Sequence, residues 1–324
     1  EHALSPETSR KLYGELLRAS VSRMERYAAC PFSHFAAYGL GLRERTVYRL
    51  EAPDIGQLFH AALSRISHRL MQNGATWREL SPDQCLALAK ETVEQLAGRL
   101  KGEILFSSKR YRHVARKLEQ IIGRTSIVLS EQAKRGEFVP VGLELPFGPD
   151  APIPPIRFQL PNGCTMELAG RIDRIDAAEG ADGRLYLRVI DYKSSLTALQ
   201  PEEIYYGLAL QMLTYLDVAV THAERWLGRP ALPAGALYFH VHNPLLLTSG
   251  AISPEQADAE RFKRFKMRGI VLADEEVVQM MDRTLSSGHS QIIPVALKKD
   301  GSFYSSSSVM TLEDWNGLRS MLHR

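Results

Sequence analysis

Two acids and a lysine occupy positions where a strand should be apolar. Asp173 closes the segment Gly-Arg-Ile-Asp at 170–173, and Asp191 and Lys193 follow Val189 and Ile190. The residues between the two segments are rich in Gly, Asp and Glu, which predicts a hairpin with a fairly long turn. The hairpin would bring two carboxylates and one ammonium into a small volume. That cluster is costly unless it is compensated, and a divalent cation compensates it while creating a hydrolytic site.

Upstream of the hairpin, residues 53–60 lead into a strongly amphipathic helix that carries Leu63, Ile66 and Leu70 on one face. His60 lies in the first turns of this helix. A histidine there is either a capping or packing residue or a ligand that faces the hairpin.

Residues 138–147 alternate in the manner of a strand and contain Glu144 as a lone acid. Segments 156–160, 164–175 and 185–192 follow, so we expect an antiparallel meander of about four strands. Glu144 either faces solvent on an edge strand or turns toward the acids of the hairpin.

Downstream, residues 202–219 are predicted to form a helix, and Gln211 and Tyr215 share one of its faces because they are four residues apart. Their alternative role is packing within the helix. Residues 234–241 read as a further strand after a crossover of helical length, which indicates a mixed α/β core.

The periodicity of residues 5–26 and 75–135 is helical. Basic residues interleave with aromatic ones at 109–117 and again at 261–268. Such a run is either a solvated helix face or a surface that follows phosphates.

The bulk composition limits the classes of protein. Lys and Arg exceed Asp and Glu by only 40 to 37 in 324 residues, so nucleic-acid binding must depend on local patches. The three cysteines form no CxxC pair, which fits a reducing cytoplasm. We find no signal peptide and no run long enough for a membrane span. The chain begins without Met, and we expect it to be a piece of a longer protein.

These residues, in this order along the chain, resemble the motifs of a known family. Gly170-Arg171-Ile172-Asp173, Val189-Ile190-Asp191-Tyr192-Lys193, Gln211-x-x-x-Tyr215 and Gly56-x-x-x-His60 resemble the RecB-type branch of the PD-(D/E)xK nucleases. Within that branch the chain is similar to AddB-type regions, the C-terminal nuclease regions of the B subunits of bacterial AddAB helicase–nucleases. The further segments that carry this similarity are 20–25, 30–32, Phe35, 38–40 and 266–269.

The resemblance implies a restriction-endonuclease-like core: a mixed central sheet flanked by helices, with a helical N-terminal insertion. We expect a mainly helical part at 1–135, the core at 136–245 and an extension at 246–324, all within one nuclease domain. It also implies Mg²⁺, with Mn²⁺ or Ca²⁺ as substitutes. The implied metal ligands are His60, Glu144, Asp173, Asp191 and the Tyr192 carbonyl.

The resemblance gives the catalytic roles to Asp173, Asp191, Lys193, Gln211 and Tyr215. A charged Lys193 would orient the attacking water or stabilise the transition state, and Gln211 and Tyr215 would orient Lys193 or the DNA backbone. The alternative for the acids and the lysine is a buried salt-bridge cluster, which is a poor stabiliser compared with apolar packing.

AddB-type regions hold a 4Fe–4S cluster through four cysteines. Cys30, followed by Pro31 and Phe32, matches the first of them, and no cysteine follows Cys164. We therefore expect a cluster only in the full-length protein, with Cys85 and Cys164 as buried apolar residues.

The expected function is Mg²⁺-dependent hydrolysis of single-stranded DNA, within a helicase–nuclease that processes double-strand breaks. The A subunit would be the partner, because this chain has no G-x-x-x-x-G-K loop for ATP. The alternative is a catalytically inert DNA-binding or subunit-docking module. A Cas4-type nuclease shares the core but is usually much shorter.

Overall fold

The computed structural model describes residues 4–43, 50–98, 105, 108–199, 201–246 and 250–323, and eight strands in this part of the chain form one mixed sheet. These strands are β1 (Leu16–Ser20), β2 (Val139–Phe147), β3 (Ile156–Gln159), β4 (Thr165–Glu179), β5 (Leu185–Lys193), β6 (Ala231–His240), β7 (Arg268–Leu272) and, as the last of the eight, β10 (Val309–Met310). A separate small ladder pairs β8 (Gly288–His289) with β9 (Ala296–Leu297).

The 15-residue strand β4 is the central strand of the sheet and pairs with four others. It pairs with β2, β3 and β5 in the antiparallel sense and with β1 in the parallel sense. The order then continues through β6 and β7 to β10, with β5–β6 and β7–β10 parallel and β6–β7 antiparallel. The expected mixed α/β sheet is therefore confirmed, and segments 1–135, 136–245 and 246–324 all contribute strands to it.

Helices cover both faces of the sheet. In chain order they are α1 (Pro6–Tyr13), α2 (Val21–Ala29), α3 (Pro31–His34), α4 (Ala52–Gln72), α5 (Pro82–Ala97), α6 (Lys109–Arg135), α7 (Pro201–Tyr205), α8 (Gln211–Thr221), α9 (Ala223–Leu227), α10 (Pro254–Arg264), α11 (Glu275–Met281) and α12 (Leu312–Leu322). A π-helical turn spans Phe35–Gly39, and a 3₁₀ turn spans Trp77–Glu79.

Two apolar cores follow from the alternation of β5. Tyr186 and Ile190 face the core that α4, α5 and α6 complete, whereas Leu187 and Val189 face the core that α8 and α12 complete. All four side chains are at most 1% exposed. Burial of an aliphatic side chain of this size contributes about 1.5–3 kcal/mol, so the hairpin is anchored from both faces.

A buried ion cluster lies within the β4–β5 hairpin itself. The Asp176 carboxylate, fully buried, accepts hydrogen bonds from Arg174 (2.6 and 3.0 Å) and from Arg188 (2.9 Å from Nη2). Arg174 also donates to the Tyr192 hydroxyl at 3.2 Å. Burial opposes the ionised form of Asp176, but the two guanidinium groups outweigh it and lower its pKa. The cluster fixes Tyr192, which stands between Asp191 and Lys193.

Three predictions of local structure are wrong. Residues 5–26 form helix, strand and helix, because the left-handed Gly14 ends α1 and Leu16–Ser20 pairs with the far end of β4. Residues 202–219 are not one helix, because Gly207 adopts a positive φ (73°) and interrupts the helix between α7 and α8. The strands around β4 are not a meander, since β2 and β3 both pair with β4.

Candidate active site

The hairpin of β4 and β5 carries the acidic pair, Asp173 and Asp191. The last paired residues before the open end are Arg174 and Ile190, so continuing the register by one residue places Asp173 opposite Asp191. Across the other edge of β4, the register of β2 sets Glu144 opposite Asp173. The structure thus brings the three predicted acids side by side on the adjacent strands β2, β4 and β5.

Asp191 is 2% exposed, and its surroundings disfavour the ionised carboxylate. Burial, and after it the Asp173 carboxylate, raise the pKa of Asp191 to about 6, although Lys193 acts in the opposite direction. Lys193 Nζ lies 2.8 Å from Asp191 Oδ2, but this ionic contact lacks the direction of a hydrogen bond. Among the described residues Oδ2 therefore accepts no hydrogen bond, and its close contact is the ionic one with Lys193.

His60, near the start of α4, points at the acidic pair. Its Nδ1 lies 2.8 Å from Asp173 Oδ2, which also accepts a hydrogen bond from the Tyr192 backbone N–H at 3.3 Å. Burial alone would lower the pKa of His60, but the hydrogen bond to Asp173 and the charge of Asp191 outweigh it, so this pKa is raised. The Nδ1 contact thus places the His60 imidazole against the acidic pair.

Glu144 lies on a strained backbone, with a φ of 48° that few residues other than glycine adopt. Its Oε2 forms an ion pair with Arg171 Nε at 2.8 Å. Burial, followed by repulsion from Asp173, raises the pKa of Glu144. A cleft of about 800 Å³ joins Glu144, Arg171, Asp173 and His60, so Glu144 faces the site rather than open solvent.

Lys193, Gln211 and Tyr215 form a chain of side-chain hydrogen bonds. Lys193 Nζ donates to Gln211 Oε1 at 3.4 Å, and Gln211 Nε2 donates to the Tyr215 hydroxyl at 3.1 Å. Burial raises the pKa of Tyr215, whose ring meets Phe147 edge to face at 5.8 Å. Gln211 thus bridges Lys193 and Tyr215 through two hydrogen bonds, and the first two turns of α8 carry both residues.

Glu25 is a residue of the site that sequence reasoning missed. Its carboxylate accepts the backbone N–H groups of Leu210 (2.8 Å) and Gln211 (3.0 Å), which caps α8 from a distance of 185 residues in sequence. Burial raises the pKa of Glu25, and the charge of Lys193 lowers it. No local pattern reveals this contact, because its two ends are joined only by the fold.

The cysteines lie apart from the acidic pair. Cys30 is exposed where α2 meets α3, and Cys85 and Cys164 are buried, as predicted. Burial raises the pKa of the Cys85 thiol to about 11, so that thiol is inert.

The residues present fit a magnesium ion with a small set of protein ligands. In the part of the chain that the structure describes, no three His, Cys, Asp or Glu side chains are grouped as a metal site. Mg²⁺ commonly binds through only one or two carboxylates and keeps several waters. Asp173 and Asp191, with the buried and undonated Oδ2 of Asp191, supply that donor set.

The fold, with the acidic pair and Lys193 on one hairpin, is that of a known class of enzyme. A profile of the PD-(D/E)XK nuclease superfamily matches residues 18–291, and the chain belongs to that superfamily. Its relatives include the B subunits of three bacterial ATP-dependent helicase/deoxyribonucleases. The chain is 54% identical over 321 residues to the one from Bacillus licheniformis, 52% over 321 residues to that of Bacillus subtilis and 51% over 323 residues to that of Geobacillus kaustophilus.

The resemblance to the AddB-type nuclease regions is thereby confirmed. These matches cover 99% of the chain but only 27% or 28% of the relatives. The chain spans a little over a quarter of their length. No helix among the described residues has the length and apolar character that a membrane crossing requires.

Proposed function

We propose that this chain is a Mg²⁺-dependent deoxyribonuclease domain that hydrolyses phosphodiester bonds of single-stranded DNA. One observation carries the proposal: the acidic pair and Lys193 lie together at the open end of one hairpin, where a buried oxygen of Asp191 has the Lys193 ammonium at 2.8 Å but no hydrogen bond from the described residues. In an ion cluster with only a structural role, that oxygen would accept hydrogen bonds, as both carboxylate oxygens of Asp176 do in the same hairpin.

Each side chain has a separate task in this proposal. Asp173 and Asp191 hold the cation, with the Tyr192 carbonyl, His60 and Glu144 as further candidates. The cation supplies Lewis acidity toward a water molecule and a phosphate. Lys193 places a positive charge where the scissile phosphate gains negative charge, and Gln211 and Tyr215 fix the position of that charge.

The partner and setting follow from the relatives. Their names describe the B subunit of an ATP-dependent helicase/deoxyribonuclease. We infer that this chain works in the cytoplasm beside an A subunit, on strands that a helicase separates during repair of double-strand breaks. Cys30 would contribute one ligand to a 4Fe–4S cluster in the full-length protein.

The test is cleavage of end-labelled single-stranded DNA by this chain and by the full-length protein assembled with its partner. Cutting should require Mg²⁺, stop with chelator and be lost in Asp191→Ala. The matched control is Asp182→Ala, which removes an exposed acid from the turn of the same hairpin. Metal-dependent cutting that survives Asp191→Ala would overturn the site assignment. An assembly that binds DNA without cutting it would favour the inert binding module.

A further inference from the structure

A second cleft of about 380 Å³ lies beyond the C-terminal end of β6, and four of its described lining residues are Lys or Arg. Lys263, Arg264, Lys266 and Arg268 line it, and none of its described lining residues is Asp or Glu. These cations come from the end of α10 and the approach to β7, the segment whose function the sequence left undecided. Phe262 and Phe265 of that segment are buried in the core, so the structure turns its cations outward.

Lys266 and Arg268 have no anionic partner in the described part of the chain. Lys263, by contrast, pairs with Glu260 on the same helix. Lys266 is half-buried, and burial lowers its pKa with no nearby acid to offset the effect. A desolvated ammonium without a counter-charge is unfavourable for the fold on its own, and an anion bound in the cleft would relieve this cost.

An aromatic pair lies at the edge of this cleft. His289, which lines the cleft, stacks on Tyr304 with ring planes 15° apart and centroids separated by 6.1 Å. Tyr304 is 43% exposed, and Lys298 lies 5.9 Å from its ring centroid. Exposed rings beside cations are the combination that binds unpaired bases together with their phosphates.

The second cleft is adjacent to the proposed nuclease centre. His240, in its wall, is the register partner of Lys193 on the neighbouring strand. Burial, followed by the charge of Arg268 and with a smaller part from Lys193, lowers the pKa of His240 to about 4, and His240 Nε2 accepts the Thr197 backbone N–H at 2.8 Å. A strand whose phosphate contacts Lys193 therefore needs to extend only past the end of β6 to enter the second cleft.

We propose that the second cleft binds the sugar–phosphate backbone of single-stranded nucleic acid next to the cleavage centre. Lys266 and Arg268 contact its phosphates, and Tyr304 with His289 stacks on one base. The proposal deepens the nuclease function proposed above. The basic face of α6 is a weaker candidate, because Tyr111 of that stretch packs against the core, so that no exposed tyrosine accompanies the exposed His113 there as Tyr304 accompanies His289.

The test is fluorescence anisotropy of a labelled oligothymidylate in EDTA, where binding is measured without cleavage. The variant is Lys266→Met with Arg268→Gln, which keeps side-chain volume and removes two charges. The matched control is Lys117→Met with Arg116→Gln on α6. Thermal unfolding of each protein shows that the fold is retained.

Loss of two phosphate contacts should reduce the salt slope of binding by about 1.4, because each contact to a single strand contributes about 0.7. The affinity ratio of wild type to variant should then shrink about sevenfold between 50 and 200 mM salt. Tyr304→Leu should weaken binding of the oligothymidylate about tenfold and leave an abasic strand unaffected. Unchanged affinity in the Lys266 and Arg268 variant, or a loss confined to the α6 control, overturns the proposal.

A small activated phosphodiester, bis(p-nitrophenyl) phosphate, separates this proposal from the nuclease function. It is too short to reach the second cleft, so the Lys266 and Arg268 variant should hydrolyse it at the wild-type rate. If wild type hydrolyses nothing while the variant still loses strand binding, the nuclease function fails and the binding site stands.

Discussion

Replacement of Asp191 by Asn should stabilise the metal-free protein while removing its activity. The side chain keeps its shape and loses the charge that burial and Asp173 disfavour. Stability and function should therefore change in opposite directions, as expected for a group that is strained until its ligand binds.

The magnitude follows from the pKa of Asp191. A value of about 6 instead of the ordinary 3.8 corresponds to a cost of about 3 kcal/mol for the ionised form in the folded state. Because the folded protein holds this proton more tightly than the unfolded chain, stability falls as pH rises from about 4 to about 6. The advantage of Asp191→Asn should thus be near zero below pH 4 and reach about 3 kcal/mol above pH 6. At pH 8 this is a rise of about 5 °C in Tm.

The assay is urea denaturation in EDTA at several pH values between 4 and 8. Asp182→Asn is the control, since that acid is exposed and pairs with Arg184, so it should not be stabilised at pH 8. Addition of Ca²⁺ should stabilise wild type and leave Asp191→Asn unchanged. Equal unfolding free energies at pH 8, or an advantage that does not vary with pH, would refute the reasoning.

Three further substitutions test separate parts of the structure. Arg174→Met leaves the buried Asp176 with one guanidinium partner and should cost about 3–5 kcal/mol in urea denaturation. Gly269→Ala places a Cβ 2.1 Å from the Ala236 carbonyl oxygen at a φ of 135°, so we expect a loss of more than about 3 kcal/mol and faster amide exchange in β6 and β7. Lys193→Met should lower kcat for DNA cleavage about 10²–10³-fold with little change in KM in steady-state assays.

The controls for these substitutions use the same chemistry at exposed sites. Arg184→Met should cost less than about 1 kcal/mol, because its ion pair is exposed. Gly250→Ala should be tolerated, because a Cβ there meets no atom within 4 Å. A loss for Arg174→Met no larger than that for Arg184→Met would contradict the role given to the buried cluster.

The acidic pair could be predicted from the sequence because a carboxylate on an apolar strand is a visible anomaly. The same holds for Lys193 on β5 and for the spacing of Gln211 and Tyr215, which a single helical turn places together. These features are local, so periodicity and residue type are enough to reveal them. The place of His60 could not be predicted in this way, because its helix is a local feature but its contact with Asp173 is a tertiary one.

The remaining features depend on contacts that no local window contains. Leu16–Ser20 has apolar residues that suit a helix, yet pairing with Thr165–Ala169 of β4 makes it a strand. The Asp176 cluster was missed because the alternation of a strand does not show that its polar positions, here Arg174 and Arg188, are buried. Glu25 was missed for the same reason, since only the fold brings its carboxylate to the start of α8.

The Glu25 cap links the N-terminal segment physically to the start of α8, which carries Gln211. Glu25 lies on α2, so any event that frees α2 withdraws a carboxylate from Gln211 and loosens the support of Lys193. Coupling of this kind is reciprocal, and a phosphate that clamps Lys193 must in turn tighten α2. Cys30 caps the C-terminus of α2 about one and a half helical turns beyond Glu25, so a group bound to that sulfur would change the mobility of α2 and, through Glu25, the position of Gln211.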